Sequence, residues 1–104
     1  MIRSARDFPE GFTARTDVCV VGSGAGGGVA TGLLTEAGRD VFLVEEGPHV
    51  PGAVMTQRED QMIPLLFRDG GQQYTVDGTI SVLQGRVLGG STVINMADCV
   101  PIPD

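Results

Sequence analysis

The stretch Val18-Cys19-Val20-Val21-Gly22-Ser23-Gly24-Ala25-Gly26-Gly27-Gly28 decides how the chain is read. An apolar run stops on a glycine cluster, and a helix-like pattern begins near Gly26. Residues 16–21 are short, continuous and β-branched, the mark of a strand buried on both faces of a parallel sheet. Over residues 26–37, Val29, Ala30, Leu33, Leu34 and Ala37 recur at spacings of three and four, which makes one apolar helix face. Gly38 is placed as the left-handed stop residue, with Arg39 at the electronegative end. Val41-Phe42-Leu43-Val44 is a second buried strand, closed by Glu45-Glu46-Gly47-Pro48. Residues 17–45 therefore read as a β-α-β unit of the expected size, roughly 30 residues.

Within that unit, Gly22-x-Gly24-x-x-Gly27 has the spacing of a dinucleotide fingerprint. Gly22 permits the tight turn, Gly24 lets backbone approach a pyrophosphate, and Gly27 lets the helix pack close to the strand. N–H groups at the helix start then point at phosphate oxygens. In a glycine-rich chain such spacing also occurs in plain structural turns. Here it follows a strand, opens a helix, and precedes an acid that ends a second strand 23 residues after Gly22. Glu45 is expected to accept from the adenosine ribose hydroxyls, whereas Glu46 reads as merely exposed. An acid at position 45 repels a 2′-phosphate, so NADP is disfavoured. NAD and FAD are not separated by this unit.

Composition narrows the remaining classes. With 104 residues the chain holds one small domain at most, and 41% hydrophobic residues argue against wholesale disorder. The formal charge is −6 and no Lys/Arg cluster occurs, which speaks against nucleic acid and against an anionic membrane surface. Cys19 and Cys99 lie too far apart in sequence for metal-ligand spacing, and Cys19 reads as a buried small hydrophobe. Neither a metal site nor a disulfide framework is expected. No signal-like apolar region and no membrane-span-length run occur, so the cytoplasm is the expected location.

Past residue 48 the chain reads as loop, then helix. Thr56-Gln57-Arg58-Glu59 matches a capping box with Thr56 as N-cap, and a helix should run to about Phe67, shortened or kinked at Pro64. Asp69-Gly70-Gly71 ends it. Residues 73–76 and 79–83 flank Asp77-Gly78, the pair favoured in a two-residue hairpin turn. His49, the only histidine, sits in a loop and is not assigned as a catalytic base.

Gly85-Arg86-Val87-Leu88-Gly89-Gly90-Ser91-Thr92-Val93-Ile94-Asn95 is a second glycine-rich segment. Paired glycines before two hydroxyl residues suit a backbone that comes close to a ligand, or a turn capped by Ser91. With this segment, the first fingerprint and Val44-Glu45-Glu46-Gly47-Pro48 in view, residues 16–99 resemble the glucose–methanol–choline (GMC) family of FAD-dependent oxidoreductases. Residues 55–59, 77–78 and 82–86 are similar to the bacterial branch related to long-chain alcohol oxidases and dehydrogenases. The resemblance implies an α/β fold: a partial, Rossmann-like FAD-binding fold of one β-α-β unit, a helix and a β-hairpin. It implies that Gly22, Ser23, Gly24, Ala25, Gly26 and Gly27 hold the FAD pyrophosphate and that Glu45 holds its ribose. Gly89 and Gly90 would lie beside the cofactor, with Ser91 and Asn95 along the flavin. Met96-Ala97-Asp98 and the tail from Val100 to Asp104 depart from the family pattern.

By the same resemblance the whole enzyme moves a hydride from an alcohol CH–OH to flavin, using a histidine far beyond residue 104. The chain is then expected to be the N-terminal part of such an enzyme, with no catalytic residue of its own, no substrate domain, and inactive alone. Two alternatives stay open: a non-catalytic flavin-binding remnant or partner of a complementing chain, and an NAD-binding module.

Overall fold

A computed structural model describes residues 1–94. Two four-residue strands, β1 (Val18–Val21) and β2 (Val41–Val44), pair in parallel with Val18 opposite Val41 and Val21 opposite Val44. Between them runs helix α1 (Ala25–Glu36), so the β-α-β unit read from the sequence is present. Gly38 has φ +77°, and the amides of Gly38 and Arg39 close the helix on the carbonyls of Thr35 and Leu34. A left-handed glycine stop is therefore what ends α1.

The packing face of α1 differs from the expected one. Gly27, Thr31 and Leu34, at spacings of four and three, are its half-buried positions, while Val29 and Leu33 are each 63% exposed. Gly27 explains the choice. A Cβ there would collide with the carbonyl of Gly22 and reach Val20 at 3.4 Å, so the helix comes closest where it carries no side chain. Val29 and Leu33 lie on the side away from that contact, whereas Leu34, also expected on the apolar face, is half-buried.

Nor are the strands buried on both faces. Val18, Val20, Val41 and Leu43 are half-buried, whereas Cys19, Val21, Phe42 and Val44 alternate onto an exposed face. Cys19, expected inside, is exposed there for the same reason: two strands with one covering helix leave the second face open. The lead-in segment touches that face through Phe12, whose ring centroid lies 5.6 Å from that of Phe42 and 4.6 Å from Phe8.

The second half begins with α2 (Glu59–Leu66), which is N-capped by Arg58 and not by Thr56. Gln57 takes a positive φ of +61° and breaks the register a capping box needs. Instead, the Thr56 hydroxyl donates to Gln61 Oε1 at 2.9 Å. Pro64 lies inside α2, which stops two residues later; Phe67 is already extended. A 3₁₀ turn (Arg68–Gly71) with positive φ at Asp69, Gly70 and Gly71 leads into β3 (Gln73–Tyr74), antiparallel to β4 (Ser81–Val82). Their register is centred on Asp77-Gly78 as expected, but the turn is not a two-residue one. Thr75 and Ile80 close a loop of residues 76–79 through a 2.9 Å bond, and Gly78, at φ +71°, donates back to Thr75. Asp77 accepts from Thr75 and Thr79 and thereby organises this wider loop. One turn of helix, α3 (Ser91–Ile94), ends the described residues.

Among the described residues the buried apolar positions are Leu66 and Val87, of which Val87 is fully enclosed. They lie where residues 84–88 thread between the end of α2 and the loop after β2. Arg68 donates to Gln84, Arg86 to Leu66 and Leu88 to Pro48, at 2.8, 2.7 and 2.9 Å. That thread carries the second glycine segment to the first.

Candidate functional site

Three sequence-distant pieces meet at the C-terminal ends of β1 and β2. The first is the turn after β1. Gly22 adopts φ +94°, a conformation that costs an L side chain dearly, and its amide donates to Val44 at 2.8 Å. Helix α1 then starts at Ala25 behind Gly24, an N-cap without a side-chain bond, and its first bond runs from the Gly28 amide to the Gly24 carbonyl. Ala25, Gly26 and Gly27 consequently direct their amides out of the positive end of a twelve-residue helix.

The second piece is Glu45. Its Oε2 accepts from the Ser23 hydroxyl at 2.6 Å and the Ser23 amide at 2.8 Å, and its Oε1 accepts from the Gly47 amide at 2.9 Å. Partial burial alone would raise the pKa of this carboxyl. The Ser23 hydroxyl, the two amides and the charge of Arg68 outweigh that effect and hold it below the usual carboxylate range. Glu45 is thus an ionised group facing the glycine turn.

Residues 85–91 form the third piece. Gly89 (φ +101°) and Gly90 (φ +61°) follow Val87 in a turn closed by a 2.7 Å bond from Gly90 to Val87. Gly90 sits directly on Gly24, since a Cβ at Gly90 would come within 2.8 Å of the Gly24 Cα. The Ser91 hydroxyl accepts from the Gly85 amide at 3.0 Å, so it ties the segment to itself and does not cap α3. Gly89 donates to the Ser23 hydroxyl at 2.8 Å, across 66 residues of chain.

A cavity of about 560 Å³ opens among these pieces, within the range of small-molecule sites. Gly22, Gly24, Glu45, Gly90 and Ser91, all proposed from the sequence, line it. Ser23 does not; it is 8% exposed and lies beneath the lining. Gly27 packs under the turn, Gly89 holds Ser23, and Ala25 and Gly26 stand exposed at the helix start. Asn95 lies outside the described residues. The glycines that touch one another across the cavity wall leave room for a flat or extended ligand where any side chain would intrude.

Several contributors escape sequence reading. Val21 and Val44 add apolar lining at the strand ends, and Gly85 and Glu46 complete it. Glu46, expected to be merely exposed, is ion-paired with Arg68 and has Arg86 Nε at 3.8 Å. Gly47 is required because a Cβ there would collide with the backbone of Arg86 and Val87. Its place in Glu-Glu-Gly-Pro was the available signal, since a glycine one residue past an acid in a strand-closing loop marks close backbone approach as readily as a turn. His49 is exposed and does not line this cavity. Among the described residues no group of histidine, cysteine and acidic side chains could hold a metal ion, and no helix is long and apolar enough to cross a membrane.

A family model described as an NAD(P)-binding Rossmann-like domain matches residues 20–86. Long-chain-alcohol oxidase FAO3 of Arabidopsis thaliana is 36% identical over 89 residues, which is 86% of this chain and 12% of that protein. An uncharacterised GMC-type oxidoreductase of Sinorhizobium fredii is 37% identical over 82 residues, 78% of this chain and 16% of its own length. The 6'''-hydroxyparomomycin C oxidase of Streptomyces lividus is 42% identical over 81 residues, covering 74% and 14% respectively. The chain therefore spans about one eighth to one sixth of the length of these relatives. No solved structure matches significantly.

Proposed function

The chain belongs to the NAD(P)-binding Rossmann-like domain family, as a GMC-type oxidoreductase sequence, and from that premise we propose that it is the FAD cradle of an alcohol oxidoreductase. The carrying observation is the contact between the two glycine segments, Gly90 on Gly24, at a cavity walled by Glu45. A nucleotide held only by the β-α-β unit needs the first glycine turn and the acid after β2. The second segment adds a backbone wall, with Gly90 and Ser91 facing the same space, and so favours a cofactor that continues past the pyrophosphate. The pyrophosphate belongs at the start of α1, beside Gly24, Ala25, Gly26 and Gly27. Glu45 faces the ribose, with Gly89, Gly90 and Ser91 toward the flavin.

When bound, FAD supplies the hydride acceptor for oxidation of an alcohol to an aldehyde or ketone. This chain's own residues bind and orient it. None of them is assigned as the base that takes the alcohol proton; that group and the substrate pocket belong to the rest of a larger cytoplasmic protein of which these residues are the N-terminal part. Glu45 at the cavity opposes a 2′-phosphate.

The description of the matching family model favours one second reading, an NAD-binding module. Purified full-length protein separates the two. It should carry a flavin absorbance spectrum, and a primary alcohol added without oxygen should abolish the oxidised-flavin band. A colourless protein that binds NAD would overturn the FAD reading.

A further inference from the structure

We propose that Ser23 is a positioning residue of the dinucleotide cradle, acting through Gly89 and Glu45 and not by contact with the cofactor. This rests on the reading of the cavity as a dinucleotide site. Sequence places Ser23 inside the fingerprint, where a hydroxyl and an amide are natural phosphate donors. Both are already engaged. The Ser23 amide and hydroxyl each donate to Glu45 Oε2, at 2.8 and 2.6 Å, and the hydroxyl oxygen accepts from the Gly89 amide at 2.8 Å. A serine hydroxyl has one proton to give, and here it goes to the carboxylate. Gly22 and Gly24 on either side of it line the cavity, while Ser23 is buried beneath.

The consequence is a relay from Gly89 through Ser23 to Glu45. Each bond orients the next: the carboxylate fixes the hydroxyl rotor, and the fixed hydroxyl presents its lone pair to Gly89. Gly89, at φ +101°, and Gly90 beside it are thereby held against the first turn. The same relay takes up Glu45 Oε2, which leaves Oε1, with its single bond from Gly47, as the oxygen with capacity for a ribose hydroxyl. Ser23 thus sets both the wall of the cradle and the direction of its acid.

The test uses full-length protein freed of cofactor, in four forms: unaltered, Ser23→Ala, Glu45→Gln, and the double variant. Amide exchange of the peptide containing Gly89 is measured first, because it needs no ligand. In Ser23→Ala that peptide should exchange about tenfold faster, the loss of one hydrogen bond, with the α1 peptides unchanged. FAD titration should then show about tenfold weaker binding for each single variant and no further loss in the double variant, as expected for groups acting as one unit. Unchanged exchange at Gly89, or losses that multiply in the double variant, would overturn the proposal. Should Ser23→Ala fail to fold, Ser23→Cys, which keeps the volume and weakens both bonds, is read in the same way. Absence of FAD binding by the unaltered protein would overturn the proposed function alone, since the exchange measurement stands without it.

Discussion

At Glu45 the charge state of one side chain governs the site. Its carboxylate accepts three bonds from Ser23 and Gly47, and those bonds favour the ionised form over the protonated one. A folded-state pKa lowered from the ordinary value of 4.5 means stability that is complete above that value and is lost as pH falls through the folded pKa. Glu45→Gln cannot reproduce the arrangement, because its amide nitrogen would face the N–H of either Ser23 or Gly47. In urea unfolding of full-length protein the substitution should cost about 1–3 kcal/mol at pH 7, and the difference from the unaltered protein should shrink below pH 4.5. A difference that stays constant into acid would show that the charge of Glu45 is not what its partners recognise. That an acid ends β2 was legible from its offset in the sequence. Its partners were not, because the bonds of Ser23 to residues 45 and 89 depend on where two loops come to rest, which no local pattern encodes.

Between elements, the spacing of glycines carried more information than hydrophobic periodicity did. The fingerprint correctly located the turn, the start of α1 and the close approach at Gly27. Periodicity found α1 but misjudged part of its packing face: Val29 and Leu33 look outward, while Leu34 is half-buried as expected, together with Gly27 and Thr31. An apolar stripe records every surface that becomes buried in a protein, whichever element covers it, so it cannot say which stripe meets which neighbour. Capping at Thr56 failed for a different reason, the positive φ of Gln57. Two glycines within α1 make the packing testable. Gly27→Ala should lower stability by about 1–3 kcal/mol, since its methyl has no space beside the Gly22 carbonyl. Gly32→Ala, with nothing within 4 Å, should raise stability by about 0.5–1 kcal/mol through helix propensity alone. Thermal unfolding of the two variants in full-length protein compares them directly, and equal effects would deny the close approach.

Over the whole molecule, the described contacts enclose very little. Accessible surface is 8315 Å², against about 5500 Å² for a folded monomer of this mass. The radius of gyration is 16.2 Å, where a compact chain of this length has about 13 Å. Val21 is 83% exposed, and Phe42 and Val44 lie with it on the open sheet face. These 104 residues alone should therefore bind a hydrophobic dye such as ANS and melt without a sharp transition. They should also oxidise no alcohol; a sharp melt or steady turnover by the isolated chain would contradict this. The open face fits a chain that spans only 12 to 16% of relatives such as the Arabidopsis and Sinorhizobium proteins. Sequence alone made the β-α-β unit and the second glycine segment visible, but their convergence on one cavity is a property of the fold. That convergence is most directly tested by titrating cofactor-free full-length protein with FAD, NAD and NADP, alongside Gly90→Val, which would drive a side chain into Gly24. Stoichiometric binding of FAD in preference to both nicotinamide cofactors, weakened at least about tenfold by Gly90→Val, is the expected result. Binding of FAD unaffected by Gly90→Val, or preference for NAD, would contradict a cradle built from both glycine segments.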